Sequence, residues 1–301
     1  MVEWFQYAFV WSVLKFLGAL PLPVARFVAW RLAAAVIWFR PSLKRTALFN
    51  LRLAFPDWTE RHRRQTVRRL VKRLGWMAAE FTHIPHFARE RIEKLVVMDG
   101  FENYDAAERR GKGVIFFTGH TGSWEIMPVA FSLLHHPIYF LARRIANQRV
   151  DALIASYRGA TGNRAIDKNQ SARVILRALR EGGSVGVLAD HNTMPEEAVF
   201  VDFFGMPAAT TSGVARLALR TDCAVLPSYM YWDEDLRKHR LRFQPAVELV
   251  RTGDEEHDVR ENTARFTREL ENFVRDHPDQ WLWMHKRWKN RPPGEQPLYP
   301  F

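Results

Sequence analysis

The amino-acid sequence predicts an α/β fold, with a central mixed sheet covered by helices, behind an N-terminal helical segment that anchors the chain to a membrane. Two observations lead to this prediction. From residue 114 to residue 274, short apolar runs of strand character alternate with amphipathic helical segments. The first 40 residues are instead almost continuously apolar. We therefore divide the chain into a membrane anchor at residues 1–40 and a main domain at residues 41–301.

The composition bounds the function. The chain has 301 residues and 47% hydrophobic content, enough for a sizeable core. A net charge of +11 suits an anionic membrane, a nucleic acid or an acidic soluble partner, and charge alone does not separate them. The 11 tryptophans favour a membrane interface. Cys223 is the only cysteine, which excludes an intrachain disulfide and a cysteine-based metal site, and we interpret it as a small buried hydrophobic residue.

The apolar N-terminal segment is interrupted by L-P-L-P at residues 20–23. A membrane-spanning helix needs about 20 apolar residues, and each half of the segment is shorter or contains charged residues. The segment is therefore either one kinked span or a shallow hairpin in the membrane interface. A buried hairpin of a soluble domain is the alternative. Basic residues after the segment place the main domain on the cytoplasmic side, namely Arg40, Lys44, Arg45 and Arg52.

The main domain begins with a helical region at residues 42–82, whose apolar stripe lies beside a basic face. Strands are predicted at residues 114–117, 138–141, 185–188, 224–226 and 241–243. Helices are predicted at residues 123–134, 148–157, 171–179, 211–219 and 261–274. In such sheets the reacting groups gather at the carboxyl ends of the strands.

A candidate catalytic pair follows the first predicted strand, in the sequence T-G-H-T-G-S-W-E at residues 118–125. His120 lies on a glycine-flanked turn, and Glu125 can meet it from the first turn of the next helix. A carboxylate on one imidazole nitrogen fixes the tautomer and frees the other nitrogen to take a proton from a hydroxyl. N–H groups at the helix start can stabilise an oxyanion. The pattern indicates direct acyl transfer, and a structural histidine is the alternative.

Other candidate sites are weaker. Ser123 is a rival nucleophile, but the G-x-S-x-G elbow is missing, so we interpret it as a helix cap. The pair His83 and His86, and the pair His135 and His136, do not make a convincing metal set. No metalloprotease, phosphate-loop or dinucleotide motif is present. We therefore predict a site without a metal.

Several longer motifs follow one another along the chain. They are N-L-R-L-A-F-P at 50–56, H-T-G-S-W-E at 120–125, L-A-D at 188–190, V-F-V-D-F-F-G at 199–205, P-A-A-T at 207–210, H-P-D-Q-W-L-W at 277–283 and R-W-K at 287–289. In these motifs the chain resembles the lipid A biosynthesis acyltransferases, the late lauroyl/myristoyl-type enzymes of the lysophospholipid acyltransferase superfamily. The resemblance covers nearly the whole chain.

The resemblance implies that residues 41–301 form a glycerolipid acyltransferase-like domain. It implies transfer of a fatty acyl chain from an acyl thioester, acyl-acyl carrier protein or acyl-CoA, to a hydroxyl of a lipid A precursor. It implies no cofactor beyond this co-substrate, and no nucleic acid partner. The partners would be acyl carrier protein, the lipid acceptor and the anionic surface of the cell inner membrane, with the catalytic domain on its cytoplasmic side. His120 would be the general base and Glu125 its orienting carboxylate.

The resemblance also suggests substrate contacts. Arg143 and Arg158 match family motif positions, and their guanidinium groups suit phosphate or the thioester oxygen. Asp190 ends a strand, as catalytic support or as a loop cap. Phe203 and Phe204 either line an acyl groove or belong to the core. The predicted substrate-binding set is Arg143, Arg158, Asp190, Gly122, Ser123, Phe203 and Phe204.

Three positions depart from the family pattern. Ser123 stands where asparagine is usual, His191 where glutamine is usual, and Ala142 where an aromatic residue is common. An enzyme that acylates another glycolipid or an aminolipid would carry the same core motifs, so these acceptors stay open.

Three further functions stay open as alternatives. One is a thioesterase or lipid hydrolase that uses the same pair with water, and another is an inactive membrane scaffold. The third is a basic membrane- or nucleic-acid-binding protein, although no nucleic-acid motif is visible. Rings and positive charges mix at residues 281–291, which either contact the membrane or pack on the domain.

Overall fold

The structure, a computed structural model, describes residues 1–167, 171–194 and 198–301. The strands of this part of the chain are β1 (Val96–Asp99), β2 (Val114–Thr118), β3 (Tyr139–Ala142), β4 (Arg164–Asp167), β5 (Ser184–Leu188), β6 (Ala198–Phe203), β7 (Met206–Thr211), β8 (Ala224–Asp233) and β9 (Lys238–Phe243). The helices are α1 (Val2–Ala19), α2 (Leu22–Phe39), α3 (Pro41–Ala54), α4 (Glu60–Thr82), α5 (Arg89–Leu95), α6 (Phe101–Glu108), α7 (Met127–Leu134), α8 (Gln148–Arg158), α9 (Ser171–Arg180), α10 (Gly213–Thr221) and α11 (Glu255–Asp276).

The main sheet has the strand order β1-β9-β8-β2-β5-β3-β4. Neighbouring strands are parallel, except that β8 and β9 pair antiparallel. β6 and β7 form a separate antiparallel hairpin. The predicted α/β fold with a mixed central sheet is confirmed.

Helices cover both faces of this sheet, as the alternation within β2 illustrates. Ile115 and Phe117 belong to one apolar cluster, together with residues of α9, α10 and α11. Val114 and Phe116 belong to a second cluster, together with residues of α6 and α7. Because successive strand residues point to opposite faces, a strand with both faces covered is apolar throughout. All five residues of β2 are buried.

Several predicted helices have different boundaries in the structure, including α11, which begins at Glu255 rather than at residue 261. The helical region at 42–82 is divided into α3 and α4 by Phe55 and Pro56, because proline disfavours helical backbone in the residue before it. Thr59 then caps α4, since its hydroxyl accepts a hydrogen bond from the backbone N–H of His62 at 3.2 Å. The helix predicted at 123–134 begins only at Met127, so residues 123–126 form a turn.

The N-terminal segment forms two helices, α1 and α2, that pack on the main domain. Gly75 of α4 permits close contact with α2, because a Cβ atom there would lie 2.4 Å from the Cα atom of Trp30. Within the described residues, α2 is the one helix long and apolar enough to cross a membrane. The outer faces of α1 and α2 expose many large apolar side chains, including Trp4, Phe5, Phe9, Phe16, Phe27, Trp38 and Phe39. The buried-hairpin alternative therefore does not describe this segment.

The C-terminal aromatic segment packs on the domain. Trp281, Trp283 and Trp288 are at most 1% exposed. Arg287 is also fully buried, and its guanidinium donates to the carbonyl oxygen of Ala209 at 2.7 Å. Of the two interpretations of residues 281–291, the structure supports packing on the domain, and the membrane-contact interpretation is wrong for these buried rings.

Candidate active site

His120 lies in the turn after β2, where the end of β5 comes beside it. β2 and β5 are adjacent and parallel, so their carboxyl ends meet at one edge of the sheet. Asp190 follows β5 and accepts two hydrogen bonds from His120. The backbone N–H donates to Oδ2 at 2.8 Å, and the imidazole Nδ1 lies 2.8 Å from Oδ1. The indole N–H of Trp281 donates a third, also at 2.8 Å.

The electrostatics of this pair suit a general base. Burial raises the pKa of Asp190, but the charge and hydrogen bonds of His120 lower this pKa by more. The net pKa lies below the ordinary value, so Asp190 stays ionised. Burial lowers the pKa of His120, but Asp190, with a smaller contribution from Glu125, brings it above the ordinary 6.5. Since Nδ1 is bonded to a carboxylate, Nε2 is the ring nitrogen left to accept a substrate proton.

Glu125 does not orient His120, which corrects the sequence-based expectation. The expected contact required Glu125 to stand in the first helical turn, whereas α7 begins two residues later. Its carboxylate instead binds Arg158, the last residue of α8. Nε of Arg158 donates to Oε2 at 2.9 Å and Nη2 donates to Oε1 at 2.5 Å. Asp190 has the orienting position, and the catalytic-support interpretation of that residue is the one its geometry favours.

Gly122 and Ser123 have positions that support the turn. Gly122 has φ +51°, and a Cβ atom there would lie 2.2 Å from the carbonyl oxygen of Met230. Its N–H donates to the carbonyl oxygen of Gln280 at 2.6 Å. Ser123 is buried, and its hydroxyl donates to Glu80 at 2.5 Å. Ser123 is therefore neither the cap of α7 nor a wall of the cavity, which corrects both expectations for it.

Glu80 connects this turn to the N-terminal helices. Arg26 of α2 donates to Oε1 of Glu80 at 2.6 Å, and Nε2 of His239 lies 2.8 Å from the same oxygen. Burial raises the pKa of Glu80, but the charges of His239 and Arg26 bring it down to about 2. The carboxylate is 1% exposed and stays ionised.

A cavity of about 910 Å³ opens beside His120. It lies where β3 and β5 separate, since these strands pair only at Tyr139 with Val185 and at Phe140 with Gly186. Past that point, residues of both strands line the cavity. Its other apolar walls come from α7, α9 and α10, including Met127, Val129, Ile175, Leu176, Val214 and Leu217. The size and lining are typical of a ligand-binding cavity.

Among the described residues, four arginines line the same cavity, namely Arg143, Arg158, Arg216 and Arg220. Sequence reasoning identified the first two, and the structure brings both to the cavity. Arg216 and Arg220 were missed, because their place on α10 gave no sign of where the helix would face. Arg143 is exposed, as a contact for a substrate headgroup requires.

Phe203 and Phe204 lie in the core, which corrects the expectation that they line an acyl groove. Phe203 is fully buried and packs against Trp281, with ring centroids 5.4 Å apart. Phe204 is 6% exposed and packs against Trp283 at 5.9 Å. Neither residue is among those that line the cavity.

Two further histidines form a stack with His120, and sequence reasoning did not place them there. The ring of His191 lies parallel to that of His120, with centroids 3.9 Å apart, and His285 stacks on His191 at 4.1 Å. Burial lowers the pKa of His191, and burial together with neighbouring positive charge lowers that of His285 to about 3. His120 is therefore the member of this stack that takes up a proton near neutral pH.

The described part of the chain brings two groups of histidines and carboxylates close enough to share a metal ion. One is His120 with Asp190 and His191, in which Asp190 already holds Nδ1 of His120. The site thus offers an oriented base, an apolar cavity and a basic rim. These are the parts needed to activate a hydroxyl beside a bound hydrocarbon chain.

Comparison with known proteins shows which family the chain belongs to. A model of the bacterial lipid A biosynthesis acyltransferases matches residues 1–290. The chain is 28% identical over 302 residues to the lipid A biosynthesis palmitoleoyltransferase of Escherichia coli (strain K12), covering 99% of this chain and 94% of that protein. It is 26% identical over 265 residues to the myristoyltransferase of the same organism, covering 86% and 81%. It is 24% identical over 299 residues to its lauroyltransferase, covering 99% and 94%. The chain belongs to the bacterial lipid A biosynthesis acyltransferase family, and it is an acyltransferase.

Proposed function

We propose that this acyltransferase moves a fatty acyl chain from an acyl-acyl carrier protein thioester to a hydroxyl of a lipid A precursor, with His120 as general base. The observation that carries the proposal is an imidazole fixed by the buried carboxylate of Asp190 beside an apolar cavity with arginines in its lining. The apolar walls suit an acyl chain, and the arginines suit phosphate groups on either substrate.

The reaction proceeds in a single transfer without an acyl-enzyme. The hydroxyl of the acceptor gives its proton to the free imidazole nitrogen of His120 as its oxygen attacks the thioester carbonyl carbon. The new C–O bond forms, the C–S bond breaks, and the leaving thiolate takes the proton back from the imidazolium. Asp190 stabilises the imidazolium throughout, because it is ionised and bonded to the opposite ring nitrogen.

Glu125 and Arg158 act as a second pair at the same cavity. The charge of Glu125 supports the imidazolium, since it contributes to the raised pKa of His120. Glu125 also holds Arg158 in a fixed, bidentate geometry. Two N–H groups of Arg158 are used in this contact, which leaves others to bind a substrate oxygen. We therefore assign Glu125 an electrostatic and positioning role, which it exerts through His120 and Arg158.

The N-terminal helices hold the enzyme on the cell inner membrane, with the main domain on the cytoplasmic side. The exposed aromatic and aliphatic side chains of α1 and α2 form an apolar surface, and its exposure to water is unfavourable, as expected for a membrane-binding surface. The length and hydropathy of α2 also suit insertion. The net charge of +11 suits both anionic headgroups and an acidic carrier protein.

The function is tested by mass spectrometry of lipids from a bacterial host that lacks its own late acyltransferase. With the wild-type chain, lipid A should gain one acyl group. With His120→Ala, which should lower turnover by about 10²–10⁴-fold, the gain should be lost while the protein is still produced. If another lipid gained the acyl group, the assignment of lipid A as the acceptor would be wrong. If lipid A still gained the acyl group with His120→Ala, the general-base mechanism would be wrong.

The pH dependence distinguishes the two carboxylates near His120. Because the pKa of His120 lies above 6.5, and the neutral ring is the base, kcat/KM should rise with pH through an inflection above 6.5. Asp190→Asn removes the larger positive contribution to that pKa, so the inflection should move to lower pH and the maximal rate should fall. Glu125→Gln should move it in the same direction by less. If the inflection moved more in Glu125→Gln than in Asp190→Asn, with both variants folded by circular dichroism, Glu125 rather than Asp190 would be the residue that orients His120.

The cavity makes a prediction about acyl chain length. Gly186 lies where β3 and β5 separate, and a Cβ atom there would lie 3.6 Å from Cδ1 of Ile138, an ordinary contact. Larger side chains at this position should fill the cavity. In donor competition assays, Gly186→Ala should change little, whereas Gly186→Val and Gly186→Leu should progressively favour shorter acyl chains. An unchanged product distribution across this series, with activity retained, would mean that the acyl chain binds elsewhere.

Membrane binding should depend on the exposed rings of α2. Trp38 and Phe39 are 76% and 72% exposed. Replacing both with serine should weaken co-sedimentation with phosphatidylglycerol vesicles by about tenfold or more, since each ring contributes apolar area on insertion. Leu236→Ser, at an exposed apolar residue after β8, is the matched control and should bind normally. Equal binding by all three proteins would contradict the proposed membrane surface.

A further inference from the structure

A second cluster of possible ligands lies at the opposite end of the parallel strands from His120. Glu108 ends α6, and His135 and His136 follow α7 on the way to β3. One ligand atom from each lies within 4.8 Å of the others. The sequence showed two adjacent histidines without a third ligand, because Glu108 is more than 25 residues away and reaches them only in the folded chain.

The spacing of these atoms fits a tetrahedral metal site. Nε2 of His136 lies 3.0 Å from Oε1 of Glu108, and Nε2 of His135 lies 3.3 Å from Oε2. Zinc binds nitrogen and oxygen ligands at about 2.0–2.2 Å, so neighbouring ligands of a tetrahedral ion are about 3.3 Å apart. The three side chains therefore need little movement to enclose an ion.

The hydrogen bonds of His136 also favour a cation or a second proton at this cluster. Nδ1 of His136 lies 3.0 Å from the carbonyl oxygen of Pro137, which only accepts, so a hydrogen bond there requires the proton on Nδ1. In neutral His136, Nε2 then presents a lone pair to the carboxylate of Glu108. The hydroxyl oxygen of Tyr104 lies 2.7 Å from Oε1 of Glu108 and 2.7 Å from Nε2 of His136. The hydroxyl has one proton, so it donates a hydrogen bond to only one of these two acceptors. A metal ion, or a second proton on His136, resolves this conflict.

The surroundings hold the two imidazoles in place. The N–H of His136 that bonds the Pro137 carbonyl is the outer contact typical of metal-bound histidine. The rings of His135 and His136 pack edge-on against Phe131, with centroids 5.4 Å and 5.3 Å away. The side chains of Glu108, His135 and His136 are 34%, 31% and 34% exposed, which leaves access for an ion and for water.

We propose that Glu108, His135 and His136 bind one divalent transition-metal ion of the Zn²⁺ type, with water as the fourth ligand. The ion ties the end of α6 to the turn between α7 and β3. Because the cluster is remote from His120, the ion stabilises the fold and takes no part in acyl transfer.

The test uses the full-length, detergent-solubilised protein after treatment with a chelator. Titration with Zn²⁺ should show one site and a rise in Tm of a few degrees, reversed by chelator. Co²⁺ should give the visible absorption of a tetrahedral complex. His135→Ala, His136→Ala and Glu108→Gln should each weaken binding by about tenfold or more. His257→Ala, at an exposed histidine on α11, is the control and should bind like wild type.

A second variant separates this site from the catalytic one, where His120, Asp190 and His191 also lie close together. Zn²⁺ binding should be unchanged in His191→Gln. The proposal is overturned if wild-type protein shows no saturable binding of Zn²⁺ or Co²⁺, in which case a proton occupies the cluster. It is also overturned if binding persists in His135→Ala and His136→Ala but disappears in His191→Gln.

Discussion

The buried carboxylate of Asp190 is the constraint on which the site depends. An ionised group without exposure to water costs several kcal/mol unless hydrogen bonds compensate it. Here the compensation comes from the backbone and ring of His120 and from the indole of Trp281. The turn after β2 and the C-terminal segment are thereby fixed to the end of β5. Satisfying one buried charge thus also determines the tautomer and the orientation of the His120 imidazole.

A second buried carboxylate, that of Glu80, extends this order to the N-terminal helices. Glu80 binds Arg26 of α2 and Ser123 of the catalytic turn, so the N-terminal helices and the turn share one anchor. If α1 and α2 bind the membrane as proposed, this shared anchor fixes the position of the turn that carries His120 relative to that surface.

Local patterns predicted the fold better than they predicted the site. The strand before His120 could be predicted because apolar runs and glycine turns act over a few residues, and the proximity of His120 to a strand end followed from it. Nearness in sequence favours Glu125 as its partner, but Asp190 reaches His120 through the pairing of β2 with β5. An apolar side chain does not reveal whether it faces a core or a cavity, which is why Phe203 and Phe204 were misplaced. The contact of Glu108 with His135 and His136 could not be predicted either, because these residues are far apart in sequence and meet only in the folded chain.

The central claim is that Asp190 holds His120 with Nδ1 protonated and Nε2 free. NMR of ¹⁵N-labelled imidazoles tests it most directly, with the His120 signals assigned from their loss in a variant lacking that ring. Because Nδ1 is hydrogen-bonded to Asp190, neutral His120 should be the Nδ1–H tautomer and should titrate with a midpoint above 6.5. An Nε2–H tautomer, or a midpoint below 6.5, would contradict it.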